Sequence, residues 1–293
     1  MHINNMINIK KSPIEQVNFQ KKSFFIKRDD LIHKDFSGNK ARKFFYFLET
    51  DFPQVTTLIS HGSNQSNAMY SLSVLCKLKK WKFVYYVTHI PQYLEENPQG
   101  NYKYALENGM ELIVKENFSK HDIEEDEKLL FIQEGGALEE ASFGLKILSD
   151  EITEYISSNK IENIKIFLPS GTGTTALFLQ KYLSLEVLTC ACVGDETYLK
   201  KQFFELEKKE EYHPTILQRK KKYHFGKLYK ENYIVWKELK EQINIEFDLL
   251  YDPIGWDTLL YNYDEKYNYL YIHQGGLIGN ESMLKRYKHK YQL

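Results

Sequence analysis

Residues 164–182 read IKIFLPSGTGTTALFLQKY, and this stretch decides the fold. Residues 164–168 form an apolar run typical of a buried strand, and residues 176–182 have the apolar spacing of a helix. Between them, the glycines and threonines of residues 170–175 form a loop that can hold a phosphate through backbone N–H groups, hydroxyls and the helix dipole. The alternative interpretation is a purely structural turn.

The same alternation of short apolar runs and helical segments continues on both sides of this stretch. The other runs predicted as strands are residues 24–28, 55–60, 81–88, 111–114, 129–132, 186–193, 247–251 and 269–272. Strands that alternate with helices predict an α/β fold with parallel-rich sheets covered by helices, and ligand sites at the carboxyl ends of the strands. The 293 residues are enough for one large domain or two smaller ones.

Composition excludes several classes of function. Lysine and arginine total 39 against 40 aspartates and glutamates, so no net field favours nucleic acid or an anionic membrane as a partner. Three cysteines are too few for a disulfide framework, and the nine histidines lack metal-ligand spacing, so no metal site is expected. The sequence shows no signal-peptide core and no apolar stretch of membrane-spanning length, and we expect a cytoplasmic protein.

A candidate reactive lysine lies in the stretch GNKARK, residues 38–43. Asn39 is a favourable helix N-cap, which would put Lys40 in the first turn, near the positive end of the helix dipole. The ammonium form is disfavoured there, so the free amine that a Schiff base requires becomes more available. The alternative is a basic helix start on a solvated surface.

The loop at residues 170–175 lacks the Gly-Lys-Ser/Thr of nucleoside-triphosphate sites and the full dinucleotide fingerprint, which leaves a cup for one small phosphate. Such a cup, together with an activated lysine, indicates pyridoxal 5'-phosphate as the cofactor. In the polar loop at residues 61–67, Asn67 can donate a hydrogen bond to the phenolate oxygen of the cofactor. Gln65 and Ser66 are predicted to bind substrate with Asn67, Ser66 by meeting its carboxylate or moving a proton. The alternative is that residues 66–67 only cap a helix.

The order and spacing of the motifs resemble one family, that of 1-aminocyclopropane-1-carboxylate deaminase and D-cysteine desulfhydrase. This family belongs to the tryptophan-synthase-β-like, fold type II pyridoxal-phosphate enzymes. The resemblance extends from about residue 25 to residue 279. The motifs are KRDDL (27–31), GNKARK (38–43), SN (66–67), GN (100–101), EGG (134–136), SGTGTT (170–175), DP (252–253) and HQGG (273–276).

The resemblance implies a fold of two domains and a set of site residues. Residues 1–46 and 145–293 would form a large cofactor-binding domain, and residues 47–144 a small mobile domain. Lys40 would be the Schiff-base lysine and Ser66 the active-site serine, and homodimers are usual in the family. The residues expected to bind the cofactor are Lys40, Asn67, Gly171, Thr172, Gly173, Thr174, Thr175 and Gln274.

The chain departs from the family pattern after the Asp-Pro pair. A tyrosine and, in some members, a glutamate follow there, and these positions are Gly255 and Trp256 in this chain. Asp257, Gln274 or neither would then meet the pyridine nitrogen. The lost tyrosine argues against opening of a cyclopropane ring and less against β-elimination from a small amino acid.

The sequence therefore predicts a D-cysteine desulfhydrase-like lyase that releases pyruvate, ammonia and sulfide. One alternative is 1-aminocyclopropane-1-carboxylate deamination, which gives 2-oxobutanoate and ammonia. A second alternative is a non-catalytic ligand-binding protein that keeps the pocket of the fold.

Overall fold

The computed structural model describes residues 12–292, in which ten strands form two sheets and ten α-helices surround them. The strands are β1 (Ile14–Phe19), β2 (Lys22–Arg28), β3 (Thr57–His61), β4 (Lys82–Val87), β5 (Met110–Val114), β6 (Leu129–Ile132), β7 (Ile164–Ser170), β8 (Val187–Ala191), β9 (Thr215–Ile216) and β10 (Asn268–His273). The helices are α1 (Gly38–Glu49), α2 (Asn67–Lys79), α3 (Gln92–Glu96), α4 (Gly100–Glu107), α5 (Ala141–Ser158), α6 (Thr174–Tyr182), α7 (Glu196–Leu206), α8 (Lys230–Ile243), α9 (Asp252–Tyr261) and α10 (Gly279–Tyr291).

The large sheet has the strand order β1-β2-β10-β7-β8-β9, and the small sheet has the order β5-β4-β3-β6. All pairs are parallel except the hairpin of β1 and β2. Strand β7 is buried at every position except Lys165, as expected for a parallel sheet with both faces covered. The predicted α/β class with parallel-rich sheets is confirmed.

Strand β1 of the amino-terminal hairpin was not among the predicted strands, whereas β2 contains the predicted run at residues 24–28. Phe19 pairs with Lys22, which leaves Gln20 and Lys21 as a two-residue turn with φ of 47° and 63°. Two successive positive φ values are typical of the tight turns whose twist matches a hairpin. Strand β1 thus covers the edge of β2.

The predicted strand at residues 247–251 is wrong, because this segment is a buried turn. One oxygen of Asp248 accepts hydrogen bonds from the backbone N–H of Leu250 at 2.8 Å and of Tyr251 at 2.6 Å. An aspartate that bonds to the following backbone favours a turn over a sheet ladder. The apolar side chains of the segment are buried all the same, so its composition resembles that of a strand.

Helix α1 packs in the core of the small sheet and contacts the large sheet at its amino end. Its aromatic residues Phe44 and Phe47 pack in the hydrophobic cluster of the small sheet with Leu58 and Leu72. Its first turn contacts the end of β10, since the N–H of Asn39 donates to the carbonyl of residue 274 at 3.1 Å. The predicted domain boundaries at 46/47 and 144/145 fall inside α1 and α5, and the division into two domains stays a prediction.

A buried ionic cluster anchors α1 to its neighbours. Arg42 donates to Asp29 at 2.8 Å and to Glu151 of α5 at 2.9 Å, and Lys27 of β2 donates to Glu151 at 2.5 Å. Arg42 has no exposed surface. Burial alone would raise the pKa of Asp29, but the charge of Arg42 and its hydrogen bonds lower it. The carboxylate therefore stays ionised and paired.

No helix in the described part of the chain is long and apolar enough to cross a membrane. Among residues 12–292, no group of three or more histidine, cysteine, aspartate or glutamate side chains is placed to hold a metal ion.

Candidate active site

A cavity of about 440 Å³ lies between the two sheets, at the carboxyl ends of their parallel strands. The predicted site residues come together here from distant parts of the chain. The lining includes Asn39, Lys40, Lys43, Gln65, Ser66, Asn67, Asn101, Glu134, Gly135, residues 169–175, Asp248, Tyr251, Asp252, Gln274 and Arg286.

Lys40 lies in the first turn of α1, but Asn39 is not its N-cap. The helix begins at Gly38 after Ser37, and Asn39 is already helical. Gly38 has φ of 63°, and a Cβ at this position would overlap the carbonyl oxygen of Gln274. Only glycine allows the helix to start this close to the end of β10. The side chain of Asn39 instead donates to Oε1 of Gln274 at 3.0 Å.

The amine of Lys40 has a lowered pKa, as predicted, but for a different main reason. Burial lowers the pKa of Lys40 to about 8, while the charge of Glu134 opposes the change. Its Nζ donates a hydrogen bond to the carbonyl oxygen of Gly135 at 3.0 Å. The free amine, which is the form that attacks a carbonyl, is therefore a far larger fraction near neutral pH than in an ordinary lysine.

Lys43 is a second lysine in the cavity and was not among the predicted site residues. Its Nζ donates to the same carbonyl oxygen of Gly135 at 3.0 Å. Burial, and secondly the charge of Lys40, hold the pKa of Lys43 well below its usual range. The spacing of three residues between two lysines on one helix was the available signal, because such residues share a face.

The loop after β7 has the geometry of an anion-binding cup. It leads into the amino end of α6, whose N-cap is Gly173 with φ of 76°. Oγ1 of Thr172 and Oγ1 of Thr174 lie 3.1 Å apart, and a Cβ on Gly135 would lie 3.0 Å from Thr172. The two lysines that donate to Gly135 are therefore adjacent to the cup.

The cup contains a buried polar atom without a partner. Oγ1 of Thr175 makes no hydrogen bond within the described residues, although it is inaccessible to solvent. A buried hydroxyl of this kind is rare unless a ligand satisfies it. With the α6 amino end and the amine of Lys43, the donor set suits a phosphate group, and Lys40 suits an aldehyde. The residues thus fit pyridoxal 5'-phosphate.

Ser66 is the N-cap of α2 and Asn67 is its first residue. Oγ of Ser66 accepts from the N–H groups of Ala68 at 3.1 Å and Met69 at 3.5 Å, so it does cap the helix. Both side chains also line the cavity, as does Gln65, whose amide donates to Tyr93 at 3.1 Å. The capping interpretation and the binding interpretation are therefore compatible.

Gln274 lines the cavity with both ends of its amide engaged. Its Nε2 donates to the carbonyl of Pro169 at 2.6 Å, while its Oε1 accepts from Asn39. Asp257, the other candidate for the pyridine nitrogen, accepts from the hydroxyl of Tyr223 at 3.0 Å and does not line the cavity. Of the two, only Gln274 is near the site.

The two positions that depart from the family pattern are packed in the core. A Cβ on Gly255 would lie 2.8 Å from the hydroxyl of Tyr271 and 3.1 Å from Pro169. Trp256 is fully buried and stacks on Tyr271 with ring centroids 4.4 Å apart. Neither residue lines the cavity, which receives Tyr251 and Asp248 from the preceding turn instead.

Comparisons with known proteins agree with this geometry. No family model matches the sequence. A curated relative, "Putative D-cysteine desulfhydrase 2, mitochondrial" of Oryza sativa subsp. japonica, is 22% identical over 330 residues, covering 90% of this chain and 80% of the relative. A solved 1-aminocyclopropane-1-carboxylate deaminase homologue superimposes with a TM-score of 0.78 at 19% identity, covering 98% of each chain. A hydrogen sulfide-producing enzyme from Fusobacterium nucleatum has a TM-score of 0.64 at 12% identity, covering 92% of this chain and 97% of that one.

The fold is that of the tryptophan-synthase-β-like, fold type II pyridoxal-phosphate enzymes. The resemblance predicted from the motifs is confirmed: over nearly its whole length the chain is similar in sequence to a putative D-cysteine desulfhydrase and in fold to a 1-aminocyclopropane-1-carboxylate deaminase homologue.

Proposed function

We propose that the protein is a pyridoxal-phosphate-dependent lyase that releases pyruvate, ammonia and sulfide from a small D-cysteine-like amino acid. The observation that carries this proposal is the buried amine of Lys40 beside a phosphate cup with an unsatisfied threonine hydroxyl. The names of the rice relative and of the Fusobacterium nucleatum structure, a desulfhydrase and a sulfide producer, support the same reaction.

The residues that would hold the cofactor are distributed around the cavity. Gly171, Thr172, Gly173, Thr174 and Thr175 would bind its phosphate, Lys40 its aldehyde carbon, Asn67 its ring oxygen, and Gln274 would face the ring nitrogen. Lys43 would add a positive charge beside the phosphate once an anion favours its protonated form. When bound, the cofactor supplies an electron sink for the pair left at the substrate Cα.

The chain itself supplies the base and the carboxylate site. As a free amine, Lys40 is suited to take the proton from the substrate Cα, because its pKa of about 8 is near the working range. At the amino end of α2, the hydroxyl of Ser66 accepts from two backbone N–H groups and keeps its own proton to donate to the substrate carboxylate. A thiol leaving group needs little acid assistance, since the ordinary thiol pKa is about 8.5.

The ring-opening alternative is less supported. It requires further acid–base groups, and the position of the family tyrosine, Gly255, faces Tyr271 and Pro169 in the core. Non-catalytic binding is also less supported, because burial of Lys40 with a lowered pKa serves reactivity rather than recognition.

The test uses the purified protein loaded with pyridoxal phosphate. We expect a yellow chromophore that borohydride fixes to Lys40, as located by peptide mass spectrometry, and sulfide release from D-cysteine in excess of that from L-cysteine. Production of 2-oxobutanoate from 1-aminocyclopropane-1-carboxylate would select the deaminase instead. A bound chromophore with no turnover of any amino acid would select the binding protein.

We also propose a cytoplasmic homodimer, from the resemblance to the family. Sedimentation of the loaded protein at micromolar concentration tests the dimer, and fractionation of the source cells tests the location.

A further inference from the structure

The side-chain amide of Asn67 lies between a donor and an acceptor. Nδ2 of Asn101 donates to Oδ1 of Asn67 at 2.6 Å and to the carbonyl of Gln65 at 3.0 Å. On its other side lies the carboxylate of Asp248. A Cβ on Gly276 would lie 2.6 Å from Nδ2 of Asn67 and 3.1 Å from Oδ2 of Asp248, so both atoms occupy the same corner of the cavity.

The carboxylate of Asp248 cannot turn away from this corner. Its Oδ1 accepts from the backbone N–H groups of Leu250 and Tyr251, which leaves Oδ2 for Asn67. Burial raises the pKa of Asp248 to about 6, against the opposing effect of its hydrogen bonds from Tyr251, Leu250 and Asn67. These partners are N–H groups rather than cations, and burying a carboxylate without a cation costs stability. The presence of Asp248 in spite of this cost in stability indicates that the carboxylate has a function in the cavity.

We propose that Asp248 is a positioning residue that, with Asn101, fixes the Asn67 amide so that an N–H faces the cavity. A flipped amide would place Oδ1 of Asn67 against the carboxylate and its Nδ2 against Nδ2 of Asn101, and both contacts are repulsive. In this orientation Nδ2 of Asn67 is on the side of Oδ2 of Asp248, and the N–H that is not directed at the carboxylate is a preset donor for a ligand oxygen. The inference rests on the proposed function in one respect, namely that this oxygen belongs to the cofactor ring.

The decisive variant is Asp248→Asn, which keeps the size of the side chain and the oxygen that accepts from Leu250 and Tyr251. The second position then becomes an N–H donor directed at Asn67, in conflict with the orientation that Asn101 requires. In the cofactor-free protein, the side-chain amide signals of Asn67 should shift, as measured by magnetic resonance with isotope-labelled asparagine. The dissociation constant for pyridoxal phosphate should rise about tenfold, the cost of one hydrogen bond.

Two further variants complete the design. Asn101→Leu removes the donor on the other side of Asn67 and should shift the same signals, so the test survives if one variant folds poorly. Asp257→Asn is the matched control. It is also a change from aspartate to asparagine, but the side chain is on α9 and lies outside the cavity. It should leave both the signals and the dissociation constant as in the parent.

Each outcome bears on the proposal. Unchanged Asn67 signals in Asp248→Asn would overturn it, and so would shifted signals with an unchanged dissociation constant. If the parent protein fails to bind pyridoxal phosphate, the proposed function is lost, and the signals of Asn67 still decide whether Asp248 and Asn101 set its orientation.

Discussion

The two walls of the cavity preserve the family pattern to different degrees. The lysine wall, formed by Lys40, Lys43 and the cup at residues 171–175, keeps the motif residues and points amines, hydroxyls and a helix amino end into the cavity. The acid wall, formed by residues 248–252 and followed by the core residues 253–256, keeps the Asp-Pro pair but departs from the family pattern at Gly255, where core packing closes the tyrosine position. Under the proposed function, the residues that would hold the cofactor and those that would select the reaction lie on different walls of the cavity.

The reason lies in how each wall is built. The lysine wall depends on the backbone conformation of the cup. Gly173 has a positive φ there, which few residues other than glycine adopt, so few sequences can form this cup. The acid wall is a turn followed by the start of α9, and the side chains that define it differ in environment: Trp256 fills the core while Asp248 and Tyr251 face the cavity. Variants in each wall should therefore affect different measurements.

Lys40→Ala should give the largest effect. We expect loss of the borohydride-fixable chromophore and a fall in kcat of roughly 10³-fold or more, because the variant removes both the covalent anchor and the base. Absorbance spectra and sulfide release measure the two losses. Lys146→Ala, at an exposed lysine paired with Asp150, is the control and should match the parent. A yellow, active Lys40→Ala protein would show that Lys40 is neither the covalent anchor of the cofactor nor the base.

Gly255→Tyr tests whether the acid wall accepts the family tyrosine. The new side chain would meet the hydroxyl of Tyr271 and the ring of Pro169, so the free energy of unfolding should fall by about 3 kcal/mol. Denaturant unfolding measures the loss. A stable variant that gains 1-aminocyclopropane-1-carboxylate deamination would mean that position 255 can accept the family tyrosine despite the packing around it.

Lys43→Met should weaken the binding of pyridoxal phosphate and at the same time stabilise the folded protein. Affinity for pyridoxal phosphate should fall about tenfold, since a charged donor near the phosphate is lost. The free energy of unfolding should rise by about 1 kcal/mol, because a buried amine is replaced by an apolar chain of similar length. Isothermal binding and denaturant unfolding give the two quantities.

The stability gain of Lys43→Met should also depend on pH. The pKa of Lys43 is lower in the folded than in the unfolded chain, so the unfolded chain binds more protons and the parent becomes more stable as pH rises. The gain should therefore be largest at neutral pH and below, and should shrink toward pH ~10. Lys79→Met, at an amine that donates to carbonyls away from the cavity, provides the comparison. A gain that stays constant over this range would mean that Lys43 is protonated when folded.

The smallest effect concerns the pH at which Lys40 becomes reactive. The rate of cofactor capture by cofactor-free protein should rise with pH and level off above about 8, because the free amine is the attacking form. Glu134→Gln should lower that midpoint, since the charge of Glu134 opposes the effect of burial. Stopped-flow absorbance across this range measures both. A midpoint that rises in Glu134→Gln would contradict the electrostatic account of the lysine wall.

The lysine wall was more predictable from sequence than the acid wall. Apolar runs indicate the parallel strands, and a loop of glycine and threonine after a buried strand favours anion binding, so local patterns were enough to select Lys40 and the cup as candidates, although not Lys43. The turn at residues 247–251 was mistaken for a strand because burial, and not extended pairing, explains its apolar side chains. The position of Asp248 against Asn67, and of Lys43 against Gly135, depends on contacts between distant segments that no local pattern contains.

The N-cap of α1 shows the same limit. Asn39 has the residue type of a cap, yet the close approach of Gln274 moves the start of the helix to Gly38. Local preference is worth about 1 kcal/mol, so tertiary contacts readily override it.

The ionic cluster around Arg42 has a consequence for motion. Helix α1 carries Lys40 at one end and core residues of the small sheet at the other, with Arg42 tied to Asp29 and Glu151 between them. Separating Arg42 from these carboxylates would cost about 3–5 kcal/mol. A rearrangement that leaves the cluster intact therefore keeps the first turns of α1, and with them the amine of Lys40, fixed against Asp29 and α5.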